Sequence, residues 1–190
     1  LYLYRNQWQL ATADAFYSNG KRYRPLLVAF KKIKQELPMV HHVLLLGTGL
    51  ASAVHILEHM NFHPAFTLVE IDKAVLTLAI ELMPPQNLSR IEPVCMDAQL
   101  FMQENKKVYP LIVCDVFIGR SVPDFVSSAV FLEQCKTSLQ PGGHFILNYL
   151  EISKSLYQEI CRLMDHIFPG YSRIEFGINK IFVASVQAKN

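Results

Sequence analysis

Four polar signatures in this sequence each follow directly on an apolar run, and their residue types suit one kind of ligand. Gly47-Thr48-Gly49 follows His42–Leu46, where two glycines let backbone approach a ligand without side-chain obstruction. Glu70 comes 23 residues after Gly47, at the end of the next apolar run, where a carboxylate can accept both hydroxyls of a ribose. Asp97-Ala98 closes a third run; an acid there can accept from an adenine amino group, the selectivity a nucleoside pocket needs. Asp115 closes a fourth, and Pro141-Gly142-Gly143 precedes a fifth. Each has a plainer reading. The glycines could make only a tight turn, and Glu70, Asp72, Asp97 or Asp115 could only cap a helix. His55, His59 and His63 have four-residue spacing, but no Cys or acid completes a ligand set, so no metal is expected.

The elements that must position these groups alternate between strand and helix. Strands are predicted at His42–Leu46, Phe66–Ile71, Ile91–Met96, Leu111–Cys114 and His144–Tyr149, and helices at Ala51–Met60, Lys73–Met83, Gln99–Glu104, Ala129–Leu139 and Ser153–Phe168. Pro141-Gly142-Gly143 reads as a turn. Tyr171–Phe176 and Lys180–Val186 read as a hairpin with Gly177-Ile178-Asn179 at its tip. The expected fold is therefore α/β: a doubly wound, mostly parallel seven-stranded sheet of Rossmann-like type, ending in an antiparallel hairpin. Ligands of such sheets bind beyond the carboxyl ends of the strands, which is where the glycines and acids fall.

Composition sets the limits. The chain has 190 residues, 51% hydrophobic and 18% charged, which excludes disorder, collagen-like repeats and coiled coil. No apolar run approaches the roughly 18 residues of a membrane helix. A soluble protein of the cytoplasm is expected, with no signal peptide visible, although the chain starts at Leu1 rather than Met. The four cysteines have no zinc or redox spacing, and Cys95 and Cys114 read as core. Residues 1–40 carry seven Lys and Arg against two acids, and residues 41–190 eleven against fourteen. The first 40 residues read as an extension packed on the core formed by residues 41–190. Its cluster of Lys21, Arg22 and Arg24, near Tyr17 and Tyr23, reads as a solvated segment, with nucleic acid a weaker alternative.

Taken together, Val43-Leu44-Leu45-Leu46-Gly47-Thr48-Gly49, Leu68-Val69-Glu70-Ile71-Asp72, Asp97-Ala98, Val113-Cys114-Asp115 and Leu139-Gln140-Pro141-Gly142-Gly143 resemble the class I S-adenosylmethionine-dependent methyltransferase fold. More closely, they resemble its spermidine synthase branch, as do Gln9, Asp14, Tyr17 and Pro25-Leu26 upstream. The resemblance implies that Gly47 and Gly49 line the methionine-derived part of the cofactor and that Thr48 and Ile71 also bind it. It implies Glu70 at the ribose, Asp97 and Ala98 facing the adenine, Gln9 on the other side, and Asp115 where the synthases keep a catalytic acid. The cofactor implied is S-adenosylmethionine or its decarboxylated form.

Three departures bear on the reaction. The synthases keep acids at the positions that are here Leu50, Ile118 and Asn19. A polycationic acceptor would lose most of its electrostatic complement without them. Methyl transfer asks less, because the sulfonium donor is already activated and positioning supplies much of the catalysis. The expectation is a methyltransferase acting on a small molecule, with Asp115, helped by Tyr109 or Asn148, orienting or deprotonating the acceptor, and Phe117 stacking on a ring. Aminopropyl transfer and a non-catalytic nucleoside-binding scaffold are the alternatives. A dinucleotide oxidoreductase is disfavoured, since Ser52 occupies the third glycine position. A homodimer is compatible with the apolar composition, and no membrane partner is expected.

Overall fold

The structure, a computed structural model, describes residues 2–4, 7–11 and 16–188. Its centre is a seven-stranded sheet built from β4 (His42–Leu46), β5 (Ala65–Glu70), β6 (Ile91–Cys95), β7 (Tyr109–Cys114), β8 (Leu139–Leu150), β9 (Ser172–Phe176) and β10 (Asn179–Ser185), in the order β6-β5-β4-β7-β8-β10-β9. The first five run parallel, and β10 lies antiparallel between β8 and β9. Strand order reverses between β4 and β7, because β5 and β6 lie to one side of that pair and β8 to the other. Such a reversal opens a crevice at the carboxyl ends of the two strands.

Among the described residues six helices cover both faces: α1 (Arg24–Lys32), α2 (Ser52–His59), α3 (Lys73–Glu81), α4 (Ala98–Glu104), α5 (Ala129–Thr137) and α6 (Lys154–Ile167). The two-residue period of the strands decides which face each side chain serves. Val43, Leu45, Phe66, Leu68, Leu111 and Val113 pack with α1, α2 and α3. Leu44, Leu46, Val69, Ile112 and Cys114 pack with α4, α5 and α6. Both faces of β4 are buried, which is why its sequence is an unbroken apolar run rather than an alternating one.

Five features differ from the sequence reading. Helix α1 was not expected within the basic segment; Pro25 opens it and Leu26, Ala29 and Phe30 bury in the same cluster as β4 and α2. A separate antiparallel sheet of β1 (Tyr2–Tyr4), β2 (Gln7–Ala11) and β3 (Phe16–Ser18) precedes it. Pro141-Gly142-Gly143 is no turn: β8 runs through it from Leu139, and the irregularity shows as a register shift opposite Tyr109 and Leu111. A side chain at Gly143 would meet the Gln140 carbonyl at 2.8 Å and those of Pro110 and Tyr109 at 3.2 Å, so the shifted ladder leaves no room for one. Finally, Cys95 is exposed rather than core, because β6 is an edge strand paired on one side only, whereas Cys114 is buried. The hairpin tip is also tighter than expected, since Phe176 pairs directly with Asn179.

Candidate functional site

The loops leaving β4, β5, β6 and β7 enclose a cavity of about 440 Å³. Backbone bonds carry the ladder one step past the strand ends and fix these loops. Gly47 N–H donates to the Val69 carbonyl at 3.0 Å, Asp115 N–H to that of Leu46 at 2.8 Å, and Met96 N–H to that of Glu70 at 3.0 Å. Gly47 has φ +81°, and a Cβ there would lie 2.4 Å from the Asp115 carbonyl oxygen. The β4–β7 approach therefore requires glycine at this position, whatever ligand lies above it.

Seven of the expected residues converge on this cavity: Gly47, Gly49, Glu70, Ile71, Asp97, Ala98 and Asp115. Thr48 is the exception. Its side chain is buried and its hydroxyl donates to the Val69 carbonyl at 3.1 Å, so it secures the loop instead of facing the cavity. Gln9 lies in β2, and its side chain falls outside the described residues, as does Asp14.

Three acids of the wall, Glu70, Asp72 and Asp97, are held by backbone. Glu70 accepts from Gly49 N–H at 3.0 Å and Asp72 N–H at 3.2 Å, one on each oxygen, which aims the carboxylate across the cavity mouth. Asp72 caps α3 through the Ala74 and Val75 N–H groups. Asp97 caps α4, accepting from Gln99 and Leu100 at 2.8 and 3.1 Å, all through one oxygen. Capping and lining coexist in Asp97, so its plainer reading and its functional one are compatible. Four carboxylates line the cavity with no Lys or Arg among its lining residues, and Val116, Phe117, Ile118, Pro123 and Phe125 make an apolar floor and rim.

Asp115 has the most developed surroundings. Its Oδ1 accepts from Asn148 Nδ2 at 2.7 Å and from the Tyr23 hydroxyl at 3.1 Å. Asn148 also donates to the Tyr23 oxygen at 3.0 Å, closing a triangle. Asn179 Nδ2 donates to Asn148 Oδ1 at 2.9 Å, and this fixes the amide with its NH₂ toward the carboxylate. Burial pushes the Asp115 carboxyl up to about 6, against the Asn148 and Tyr23 bonds that pull it down. Burial and the neighbouring Asp115 charge hold the Tyr23 phenol well above its usual range, so it remains a donor. A carboxylate that titrates near neutrality, with Oδ2 left outside the Tyr23 and Asn148 bonds, can take up a proton at the cavity wall.

Tyr109, named as a helper for Asp115, is at the opposite end of β7 and buried; Asn148 is the one that reaches it. Tyr23 and Asn179 complete the network, and no spacing rule pointed to either. His55 is half-buried and burial lowers its pKa, while His63 pairs with Glu58 at 3.0 Å. Among the described residues no group of three or more His, Cys, Asp or Glu is placed to hold a metal ion. No helix among them is long and apolar enough to cross a membrane.

The spermine/spermidine synthase domain model matches residues 22–179, from just before α1 to the hairpin. The chain belongs to this family. Curated relatives include the polyamine aminopropyltransferases of Shigella flexneri serotype 5b and Escherichia coli K12, each 27% identical over 111 residues. The alignment takes in 55% of this chain and 38% of each relative, so the chain spans well under half their length. Among solved structures, human methyltransferase-like protein 13 in complex with SAH superposes with TM-score 0.71 at 19% identity, covering 87% of this chain and 82% of that one. A probable spermidine synthase from Corynebacterium glutamicum gives 0.71 at 20%, covering 85% and 63%. A spermidine synthase in complex with the transition-state analogue AdoDATO gives 0.68 at 17%, covering 92% and 64%. At such identities the likeness is one of fold, the class I methyltransferase architecture.

Within this spermine/spermidine synthase family member, Leu50, Ile118 and Asn19, the positions at which the resemblance implies acids in the synthases, lie in different settings. Leu50 is 3% exposed and packs inward, away from the cavity. Ile118 lines the cavity and is 71% exposed. Asn19 lies in a neighbouring concavity, described below.

Proposed function

We propose that the chain binds a nucleoside sulfonium of the S-adenosylmethionine type in the strand-end cavity and transfers its methyl group to a small molecule. The observation that carries this reading is Asp115, held by Tyr23 and Asn148 at the cavity wall and followed by the apolar Val116-Phe117-Ile118. The residues present fit such a cofactor. The volume of about 440 Å³ suits a nucleoside-sized ligand, and four carboxylates complement a cation. Glu70 and Asp97 each keep acceptor capacity for ribose and adenine, beyond their backbone bonds. When bound, the donor supplies a carbon already activated by a positively charged sulfur.

The protein then has two tasks. It must hold the acceptor in line with that carbon, a matter of shape to which Phe117 and Ile118 contribute. It must also remove a proton: as the acceptor's lone pair bonds to the carbon, the old carbon–sulfur pair stays on sulfur, and Asp115 receives the proton shed by the amine or hydroxyl. With its carboxyl near 6, Asp115 is mostly ionised at pH 7 and ready to accept.

Aminopropyl transfer is the second reading, favoured by the names of the curated relatives and by the four carboxylates of the cavity. The two separate on the donor. Calorimetric titration with S-adenosylmethionine, its decarboxylated form, S-adenosylhomocysteine, methylthioadenosine and NAD is expected to favour the carboxylate-bearing pair. Preference for the decarboxylated donor and methylthioadenosine refutes methyl transfer in favour of aminopropyl transfer. Binding of none of them leaves a scaffold without a cofactor.

A further inference from the structure

A second cavity, of about 340 Å³, lies beside the first, walled by the segment leading into α1, the loop after Asp115 and the β9–β10 hairpin. Phe117 and Gly119 line both, so the two meet at that loop. Tyr23 lines the second cavity and reaches Asp115 Oδ1 with its hydroxyl at 3.1 Å. The charge, however, is of opposite sign. Arg22, Arg24 and Arg120 line it, and no Asp or Glu does.

Single exposed arginines are ordinary solvated side chains, but these three come from segments about a hundred residues apart and converge on one concavity. Among the described residues none of them takes part in an ion pair. Arg24 is held over the Phe176 ring, 5.4 Å from its centroid, which orients the guanidinium without neutralising it. A guanidinium fork matches a carboxylate or a phosphate through two parallel bonds. A cationic acceptor would instead meet like charge on entering.

Resting on the reading of the first cavity as the donor's, we infer that the arginine-lined cavity receives the acceptor. That acceptor is a small molecule with a carboxylate or phosphate at one end and an amine or hydroxyl at the other. The anion is held by Arg24 and Arg120, and the nucleophile is directed past Phe117 toward Asp115.

The test is calorimetric titration of the full chain, with and without S-adenosylhomocysteine, using three probes. 4-Aminobutyrate and phosphoethanolamine each join an amine to an anion, one carboxylate and one phosphate; putrescine matches the first in length but ends in a second amine. At least one of the two anions is expected to bind, ten times or more tightly than putrescine. The double variant Arg24→Gln, Arg120→Gln is expected to weaken that binding tenfold or more, while S-adenosylhomocysteine affinity stays within twofold of wild type. Arg24→Lys with Arg120→Lys keeps the charge and is expected to restore part of the loss, separating recognition from misfolding. The inference is overturned if putrescine binds more tightly, if the Gln variant holds the anion as well as wild type, or if neither anion binds at about 10 mM. It is equally overturned if a single-stranded RNA oligonucleotide alone binds, which would assign this basic face to a polymer. Failure of S-adenosylhomocysteine to bind wild type would refute the donor reading, while the titrations without it still report on the arginine cavity.

Discussion

Replacing Asp115 by Asn is expected to make the protein more stable above neutral pH and, at the same time, nearly inactive. Burial raises the carboxyl from its ordinary value of 3.8 to about 6, so the folded state disfavours its charge more than the unfolded state does. The sign follows from linkage. For an acid with a raised folded pKa, the stabilising contribution is fully present below the unfolded value near 3.8 and is lost as pH rises through about 6. A displacement of about two pH units corresponds to roughly 3 kcal/mol at most, at 1.36 kcal/mol per unit. Asp115 is half-buried at the cavity wall, so about 1–2 kcal/mol is the reasonable expectation. Asn can present its oxygen to Tyr23 and Asn148 as Asp115 Oδ1 does, and it carries no charge to bury. For a chain of this size the gain amounts to roughly 2–8 °C in Tm. Thermal unfolding of both proteins between pH 4 and 8 measures it: the two should nearly coincide at pH 4, and the gap should open through pH 6 and then level off. An Asn variant equal to or less stable than wild type at pH 8 would show that the Tyr23 and Asn148 bonds outweigh burial, and Asp115 would not be poised as a base.

Three further outcomes follow from the same geometry. Asn148→Ala removes a bond that holds the Asp115 carboxyl down, so the acid limb of the pH–rate profile should move above about 6; an unmoved limb would assign it to another group. Gly47→Ala places a Cβ against the Asp115 carbonyl in a left-handed backbone conformation and should cost about 2–4 kcal/mol, read as a lower urea midpoint. Glu70→Ala should weaken S-adenosylhomocysteine binding by about 1–3 kcal/mol, seen calorimetrically, with little change in folding, and equal affinity would remove Glu70 from the donor site.

Much of the fold was legible because buried parallel strands announce themselves. Both faces of β4 are covered, so its apolar run is continuous and the glycines after it mark the end; the acids at Glu70, Asp97 and Asp115 do the same for the next strands. Helix α1 was legible in principle. Leu26, Ala29, Phe30 and Ile33 have helical spacing behind Pro25, yet the surrounding lysines and arginines suggest a solvated segment until the spacing is counted. Pro141-Gly142-Gly143 misleads for a different reason. Proline and glycine normally end a strand, but here the shifted pairing of β8 with β7 absorbs them inside one. The site divides along the same line. Loop residues at strand ends follow from local pattern, whereas the partners of Asp115 come from 92 and 33 positions away and no local pattern reports contacts of that range. Thr48, adjacent to both glycines, shows the limit of inference by adjacency: its hydroxyl turns inward to a backbone carbonyl.

The two cavities also bear on Leu50 and Ile118, positions at which the resemblance implies acids in the synthases. Leu50 packs into the core and Ile118 adds apolar surface, so neither position offers a carboxylate to a cationic acceptor. On the other side of Phe117 and Gly119, three arginines stand where an anion would be held. A zwitterionic acceptor is then oriented by both ends at once. Its anion is drawn to Arg24 and Arg120 and repelled by Glu70, Asp97 and Asp115, while its amine meets the reverse. Reversing the molecule would place like charge against like at each end, so the field selects a direction before any close contact forms. Tyr23 ties that selection to the chemistry. It lines the arginine cavity and donates to Asp115, and Asn148 and Asn179 carry the same network to β8 and the hairpin. The carboxylate of the group that receives the proton is thus held by side chains from the elements that wall the acceptor's cavity.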